Sequence, residues 1–397
     1  MSARVIPAAV DEPRTTLSRC REQLLRWLIE CAYPRWAAHG IDASGGFVEA
    51  IAQDGTSLAR PRRARVHPRQ VYAFALAPRL GWHRDVPVII ERGWHWFEQR
   101  YRRKDGLYRA MVADDGTAVE ERALLYDQAF ALLGLEGCAR VLGSARDFEA
   151  RALELRALIE ERFATGDGAF RPSKDATHLE SNPHMHLLEA CLAWSQAGED
   201  TGWSHWVRRL VSVVLERFRR AGTGAIGERF DLDGRAISDP GHGLIEPGHQ
   251  FEWAWLLMRS RTLHGGPLLA TAGHLCALAE QRGLRNGLVV NALHDDLRVH
   301  DANARLWPQT ERLKAALLLA RLTQDPLHEA HAAAAASSLL RYLATPVPGL
   351  WFDVCLPSGT LLHAPATAST LYHLVGAIAE LKLSSSEHER TATPRPT

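Results

Sequence analysis

The sequence lacks the features that define several large protein classes. Its 397 residues show no excess of charge of either sign, because 47 Lys and Arg residues balance 46 Asp and Glu residues at a net charge of +1. Such a balance provides no basic surface for nucleic acid or for an anionic membrane. No apolar run approaches the roughly 20 residues of a membrane-spanning helix, and the N-terminus has no apolar core of a secretory signal. We therefore expect a cytoplasmic protein with no nucleic-acid or membrane partner.

Metal, redox and nucleotide motifs are also missing. None of the six cysteines lies within four residues of another, so the sequence contains no Cys-x-x-Cys pair. We interpret them as small buried side chains in a reducing compartment; they are Cys20, Cys31, Cys138, Cys191, Cys276 and Cys355. The sequence has neither a His-Glu-x-x-His zinc motif nor a glycine-rich phosphate loop. We predict no cofactor and no catalytic metal.

Amphipathic stretches, with apolar residues at helical spacing, occupy most of the chain. They predict twelve helices, at about 14–39, 67–80, 86–103, 119–142, 146–163, 180–198, 201–220, 247–264, 267–284, 306–323, 325–343 and 366–383. Strand signals are short, as at 287–292 and 350–354. Turns rich in Gly, Asp and Pro separate the helices.

Twelve helices that pair into six hairpins predict an all-α fold, an (α/α)6 barrel with alternating inner and outer helices. An open solenoid of hairpins fits the helix count equally well. We expect a single domain over residues 14–383. Residues 1–13 and 384–397 are polar and carry Pro or Ser, and we expect them to be flexible tails.

Polar and aromatic residues concentrate in six segments, one near the start of every second predicted helix. One residue from each segment gives successive steps of 58, 59, 63, 62 and 62 residues: Arg69, Asp127, His186, His249, Glu311 and His373. In a closed barrel all six would lie on inner helices, and their early residues would meet at one mouth. The spacing therefore predicts one shared site. Tyr126, Asn182, Glu252 and Trp307 lie in the same segments.

The same residues also have structural interpretations. Asp127 could cap or bridge, and Arg69 or Arg65 could pair with a buried carboxylate. His186 and Glu189 are three residues apart on one helix face, as are His249 and Glu252. At that spacing a carboxylate can orient an imidazole and raise its basicity.

Two further interpretations concern metals and aromatic rings. The two histidine–glutamate pairs, with His184, could bind a metal, although they lie on helices far apart in the sequence. Trp307, Trp253 and Trp351 could stack on a sugar face or pack in the core.

The motifs RQVYAFA, SNPHMHLLEA, EPGHQFEWAWLL, WPQTERLKA and STLYHL resemble the N-acylglucosamine 2-epimerase superfamily, over about residues 15–383. That group includes mannose isomerases, cellobiose 2-epimerases and sulfoquinovose-pathway isomerases. The resemblance implies an (α/α)6 barrel with a central site. It carries a substrate-binding arginine onto Arg69, an Asn and a His onto Asn182 and His186, the two acid/base histidines onto His249 and His373, the carboxylate onto Glu252 and the stacking tryptophan onto Trp307. We expect His186, His249, His373 and Glu252 to be the catalytic residues.

One segment departs from the pattern of that superfamily. Some of its isomerases have an arginine a few residues before the PGHQ motif, where this chain reads SDPGHGLIEPGHQ with His242. The residue that makes this substrate contact, and the roles of His242 and His363, stay open.

The chemistry expected at such a site is proton transfer on a sugar. The proton on carbon 2 of an open-chain aldose is weakly acidic, and histidine suits its removal because its pKa is near neutral. We expect His249, held by Glu252, to act on one side and His373 to take the carbon 2 proton. Arg69 and a protonated His186 or His249 would stabilise the enediolate.

The predicted activity is aldose–ketose isomerisation of mannose and fructose, with lyxose and xylulose as a further pair. A 2-epimerase acting on N-acetylglucosamine or cellobiose would use nearly the same residues. A glycoside hydrolase, with carboxylates from Glu252, Glu311 or Asp127, and a non-catalytic sugar-binding protein are further alternatives. We expect a monosaccharide substrate, contacts to it from Tyr126, Asp127 and Glu311, and a monomer or homodimer.

Overall fold

Twelve helices account for most of the chain in the computed structural model, which describes residues 12–198, 200–237 and 244–392. Two helices contain a π-helical turn. The helices are α1 (Pro13–Trp27, continuing through Leu28–Ala32 to Tyr33–His39), α2 (Val66–Leu80), α3 (Val86–Tyr101), α4 (Leu125–Val141), α5 (Ala145–Phe163), α6 (Ser181–Ser195), α7 (Trp203–Val213, continuing through Val214–Phe218), α8 (Pro247–His264), α9 (Leu268–Arg282), α10 (Leu306–Thr323), α11 (Pro326–Tyr342) and α12 (Ala368–Ala392).

The even-numbered helices form an inner ring. Each contacts the next inner helix along the chain, and α12 contacts α2, which closes the ring. The odd-numbered helices lie outside and pack against their inner neighbours, with α1 against α11 and α12. The contact between α12 and α2 excludes the open solenoid. The predicted (α/α)6 barrel is confirmed.

Short antiparallel strands occupy the connections. They are β1 (Ala50–Ile51), β2 (Arg62–Arg63), β3 (Met111–Val112), β4 (Ala118–Glu120), β5 (His178–Glu180), β6 (Arg229–Asp231), β7 (Leu244–Ile245), β8 (Leu284–Arg285), β9 (Leu288–Val289), β10 (Ala292–His294), β11 (Val299–Asp301), β12 (Ala304–Arg305), β13 (Val354–Cys355) and β14 (Ala366–Thr367). The sheets are β2-β3-β4, β11-β10-β7, β1-β14, β5-β6, β8-β9 and β12-β13. One strand lies shortly before each inner helix, so the strands surround the mouth where these helices begin.

A repeated side-chain hydrogen bond ties the loops to the inner helices. Early in α8, the Gln250 amide accepts from the backbone N–H of Ile226 at 2.8 Å and donates to its carbonyl at 2.9 Å. In four other repeats a loop backbone N–H donates to a side chain of the inner helix in the same way: Phe47 to His67, Tyr108 to Gln128, Phe170 to His184 and Val289 to Gln309. These five side chains, which we call the loop clamps, are buried. They satisfy backbone groups that would otherwise be buried without a partner.

Two predicted helix boundaries differ from the structure by more than five residues. The helix expected from residue 119 begins at Leu125, because Ala118–Glu120 pairs with Met111–Val112 as a strand. The helix expected to end at 383 continues to Ala392, into the segment predicted as a C-terminal tail. Residues 1–11 of the predicted N-terminal tail lie outside the described residues, as does His242.

The inner helices form the core of the barrel, because residues on all faces of these helices are buried, as in α8 and α10. Trp253 on α8 and Trp351 are fully buried, and Trp351 stacks on Trp36 with ring centroids 4.9 Å apart. These two tryptophans therefore belong to the core and do not stack on a ligand. None of the helices in the described part of the chain is both long and apolar enough to cross a membrane.

Candidate active site

The first turns of the inner helices surround a cavity of about 200 Å³. Eight of the ten predicted site residues line it, and they come from all six inner helices: Arg69, Tyr126, Asn182, His186, His249, Glu252, Trp307 and His373. The near-60-residue spacing in the sequence therefore corresponds to one shared mouth. Six further lining residues were not predicted as site residues: Arg63, Arg65, Glu246, Arg305, Ser369 and Thr370.

His373 has the properties of a general base. Its Nδ1 lies 2.8 Å from Glu311 Oε1, and the ring is buried. Burial lowers the pKa of His373 below its ordinary value, although the bond to Glu311 opposes this. A neutral ring that donates from Nδ1 to a carboxylate leaves the lone pair on Nε2, so Nε2 is the atom that can accept a proton.

His249 has the opposite protonation state. Its Nδ1 lies 3.0 Å from both carboxylate oxygens of Glu228, and its Nε2 lies 3.9 Å from Glu246. Burial alone would lower the pKa of His249, but the charges of Glu228 and Glu246 outweigh it and raise the pKa to about 10. His249 is therefore an imidazolium near neutral pH and can donate a proton or a charged hydrogen bond.

The partner of His249 differs from the prediction. Glu252, three residues along α8, does not bond the His249 ring, whereas Glu228 does so from the loop before β6. The HxxE spacing placed the two side chains on one helix, but it could not reveal a carboxylate that arrives from another loop. A usable signal lies in the loop clamps: Glu228 follows the clamped Ile226 by two residues, as Glu49 follows the clamped Phe47.

His186 does pair with its local carboxylate. Its Nδ1 lies 3.2 Å from Glu189 Oε2, as the three-residue spacing predicts, and Tyr372 donates to the same oxygen. Burial lowers the pKa of His186 to about 3 despite Glu189. His186 is therefore neutral, and the positive imidazole expected at the site is supplied by His249 alone.

Glu252 lies at the centre of the buried carboxylates. Its Oε1 has no hydrogen-bond partner among the described residues and lies 3.9 Å from His186 Nδ1. Burial, together with the negative charges of Glu311 and Glu189, raises the pKa of Glu252 well above its ordinary value. The raised pKa favours the protonated carboxyl group, a form that can donate a hydrogen bond to a ligand oxygen.

Arg69 brings a fixed positive charge to the cavity wall. Its guanidinium lies 4.1 Å from the ring centroid of Phe130 and donates to the Tyr126 hydroxyl at 2.6 Å. Its buried Nε has no partner in the described part of the chain, nor has Asn182 Oδ1 on α6. These two unsatisfied atoms are suited to sugar hydroxyls, because buried polar groups are costly without partners.

Trp307 lies between the two catalytic candidates. Its ring centroid is 5.1 Å from that of His249 and 5.6 Å from that of His373. Gly248 is needed beside it, because a Cβ at that position would come within 2.6 Å of the Trp307 ring. The Pro-Gly-His sequence therefore lets the indole approach α8 and lie between the histidines, where it can pack against a sugar.

Two predicted sugar contacts are corrected to supporting positions. Asp127 is fully buried and bonds Arg65 at 2.9 Å, which confirms the predicted pairing of Arg65 with a buried carboxylate. Glu311 is also fully buried and bonds His373 and Lys314. Neither carboxylate lines the cavity. Each lies beneath the cavity and bonds a residue that lines it: Asp127 bonds Arg65, and Glu311 bonds His373.

Some of these groups have the donor types and spacing of a metal site. Three sets have ligand atoms within 4.8 Å of one another: His186–Glu189–Glu252, Glu252–Glu311–His373 and Glu228–Glu246–His249. Each set already has a protein cation beside it, Lys314 for the first two and Arg305 for the third. His184 does not contribute a metal ligand to these sets, because its Nε2 accepts from the Phe170 backbone N–H and its Nδ1 donates to the Glu180 carbonyl.

Comparisons with known proteins agree with this architecture. The sequence matches the N-acylglucosamine 2-epimerase (GlcNAc 2-epimerase) family over residues 45–377. It is 40% identical over 371 residues to a mannose-6-phosphate isomerase of Rhizobium meliloti (strain 1021), covering 91% of this chain and 96% of that protein.

Solved structures share the fold. A crystal structure of D-mannose isomerase superposes with a TM-score of 0.83 at 21% identity, covering 96% of this chain and 100% of that one. The cellobiose 2-epimerase of Spirochaeta thermophila gives a TM-score of 0.84 at 21% identity with the same coverage. The chain therefore belongs to the N-acylglucosamine 2-epimerase family and is a sugar isomerase or epimerase.

Proposed function

We propose that the protein is an aldose–ketose isomerase that interconverts mannose and fructose by moving a proton between carbon 2 and carbon 1. The observation that carries the proposal is that two histidines at one cavity each bond a carboxylate through Nδ1, and that a lysine neutralises the carboxylate of only His373. His373 has a free Nε2 lone pair, and His249 carries a positive charge fixed by Glu228. A proton transfer through an enediolate needs such a base and such an acid together.

The mechanism follows from these positions. His249 gives a proton to the ring oxygen and recovers one from the carbon 1 hydroxyl as the ring opens. His373 then takes the proton from carbon 2 while His249 protonates the carbonyl oxygen on carbon 1. His249 recovers the proton of the carbon 2 hydroxyl as His373 returns its proton to carbon 1, so that the aldose becomes the ketose. Arg69 and the neutral Glu252 donate hydrogen bonds to the enediolate oxygens. No residue changes its net protonation over one cycle.

Epimerisation at carbon 2 remains the main alternative, because it shares the first step. It requires a proton to reach carbon 2 from the opposite face, for which His249 is the nearest acid. Glu228 holds His249 as a strongly retained imidazolium, which suits a bond to oxygen better than transfer to carbon. The mannose isomerase names of the relatives also favour the ketose product.

Glycoside hydrolysis has less support from the site. It needs two carboxyl groups placed across the scissile bond. Of the three candidates from the sequence, Glu252, Glu311 and Asp127, only Glu252 lines the cavity.

A phosphorylated sugar is a second candidate substrate. Arg63 on β2 and Arg305 on β12 line the mouth, with side chains 38% and 40% exposed, and arginine is well suited to phosphate. The relative at 40% identity is named for mannose 6-phosphate. A phosphate subsite predicts that Arg305→Gln raises KM for mannose 6-phosphate and leaves KM for mannose unchanged, with the exposed Arg298→Gln as control.

The proposed activity is tested by incubating the protein with mannose, mannose 6-phosphate, N-acetylglucosamine and cellobiose and identifying the products by NMR. Fructose or its phosphate supports the isomerase and distinguishes the two substrates. An N-acetylmannosamine or glucosyl-mannose product without ketose would replace it by the epimerase. Released glucose from cellobiose would point to hydrolysis.

A further inference from the structure

A buried lysine lies directly beneath the site. Lys314 on α10 is 2% exposed, and its Nζ donates to Glu311 Oε2 at 2.7 Å. The ammonium also lies 3.9 Å from the ring centroid of Trp255. Lysine is rarely buried to this degree unless it is paired, because removing its charge from water is costly. The sequence motif WPQTERLKA places it one helical turn after Glu311, on the same face.

Lys314 does not reach the sugar. It is absent from the wall of the substrate cavity and instead lines a second cavity of about 550 Å³, formed by the C-terminal halves of the inner helices. Glu189 and Tyr372 line this second cavity as well. The layer that contains these three residues is therefore the floor that separates the two ends of the barrel.

Three carboxyl groups lie around Lys314, those of Glu189, Glu252 and Glu311. Besides Lys314, the titratable and charged side chains around Glu311 and His373 come from four other inner helices: Arg69 from α2, His186 and Glu189 from α6, His249 and Glu252 from α8, and Tyr372 from α12. Three carboxyl groups thus share one small volume, and like charges so close to one another cannot all ionise without a cation.

Lys314 bonds one of the three carboxyl groups. Its charge and hydrogen bond favour ionised Glu311, whose pKa is lowered although burial would raise it. Burial and the negative charge of Glu311 raise the pKa of Glu252, although the charge of Lys314 opposes this. The difference places the negative charge on the oxygen pair that holds His373 Nδ1.

We propose that Lys314 is a positioning residue for the isomerase, because its ammonium keeps Glu311 ionised against His373 and so keeps His373 as an unprotonated base with Nε2 towards the sugar. The catalytic part of this inference rests on the proposed function. The effect of Lys314 on the protonation of the Glu311–His373 pair does not depend on turnover. Removing the lysine charge increases the proton affinity of the Glu311–His373 pair, whichever of the two then carries the extra proton.

The test compares Lys314→Met and Lys314→Gln, which remove the charge, with Lys314→Arg, which keeps it. We expect the acid limb of the pH profile of kcat/KM to move to higher pH by about one unit in the first two. It should stay in place in Lys314→Arg. We also expect kcat near neutral pH to fall about tenfold with KM nearly unchanged, because the sugar contacts are intact.

Arg312→Met is the matched control. Arg312 is a buried cation on the same helix, but it pairs with Glu280 on the outer side. Its removal should lower thermal stability without moving the pH profile. If Lys314→Met and Lys314→Gln only lose stability, as Arg312→Met does, and their acid limbs stay in place, the lysine is structural and the inference is wrong.

An NMR titration separates this inference from the proposed function. The His373 ring signal, assigned by its loss in His373→Gln, reports protonation without any turnover. A shift in Lys314→Met with no isomerase activity in the wild type supports the electrostatic role and contradicts the proposed function. An unshifted His373 titration in an active enzyme overturns the inference alone.

Discussion

At the scale of single residues, two histidines of the same ordinary pKa are set to opposite states by their carboxylate partners. His249 bonds Glu228 and lies near Glu246, which raise its pKa. His373 bonds Glu311, but Lys314 neutralises that carboxylate, and burial then lowers the pKa of His373. Neutralisation by Lys314 of the carboxylate at Nδ1 of His373 therefore separates this ring from His249 and determines which ring is the base and which is the acid.

The first residue-scale prediction concerns the base. His373→Ala should lower kcat/KM for isomerisation by about 10²- to 10⁴-fold, the usual contribution of general base catalysis. His363→Ala is the control, because His363 is exposed and does not line the cavity. Both variants are assayed by ketose formation, with thermal melting to verify folding. Near-wild-type turnover in His373→Ala would show that another group takes the proton.

The second residue-scale prediction concerns how the stability of the fold depends on pH. Since the folded state raises the pKa of His249 to about 10, the ion pair with Glu228 stabilises the fold fully below about pH 6.5, the ordinary histidine pKa. This contribution is lost as the pH rises towards 10. Glu228→Gln should therefore be less stable than the wild type at pH 7, and the gap should narrow by pH 10. Urea unfolding at both pH values measures it; a gap that does not depend on pH would contradict the assignment.

The residue pairs also show what sequence reasoning reaches. His186 and Glu189 were predictable because three residues along one helix fix their distance. The bond between His249 and Glu228 was not, because it joins a helix to a loop, and the register of that loop is set by packing rather than by local spacing. The same limit applies to Lys314, whose role depends on Glu189 and Glu252 from other helices.

At the scale of elements, the loop clamps connect local sequence to the barrel. Each clamp side chain lies in the first turns of an inner helix and fixes the backbone of the loop just before it. The clamp positions lie within two residues of the functional ones, as with His184 and His186. This proximity explains why the sequence made His184 a metal candidate, although both of its ring nitrogens bond backbone groups.

The prediction at this scale is that Gln250→Ala destabilises the fold by about 1–3 kcal/mol, because it leaves the N–H and the carbonyl of Ile226 without their buried partner. Gln99→Ala, on the exposed face of α3, should change stability far less. Denaturant unfolding compares the two. Equal effects would mean that water replaces the clamp.

At the scale of the whole molecule, the near-60-residue spacing was the most informative feature of the sequence. It placed Arg69, His186, His249 and His373 at one mouth, and all four line the cavity. The helix count alone did not separate a closed ring from an open solenoid, because closure depends on the contact between α12 and α2 at opposite ends of the chain. The sequence also could not show how far each residue lies from the cavity, so Asp127 and Glu311 were predicted as sugar contacts although they lie beneath the site.

The barrel as a whole divides into a catalytic end and a second cavity, with the floor of Glu189, Lys314 and Tyr372 between them. The protonation states at the catalytic end are thus properties of the closed ring, because three other inner helices, α2, α6 and α8, contribute titratable or charged side chains around the Glu311–His373 pair. No isolated hairpin contains both histidines with their partners.

The most direct test of the account is the reaction of mannose in deuterated water, followed by NMR. Transfer of the carbon 2 proton by His373 to carbon 1 predicts fructose, with deuterium at carbon 1 in the fraction of turnovers where the base exchanges its proton with solvent. The His373→Ala protein should give none. A carbon 2 epimer with deuterium at carbon 2 and no ketose, or no change in the sugar at all, would contradict the central claim.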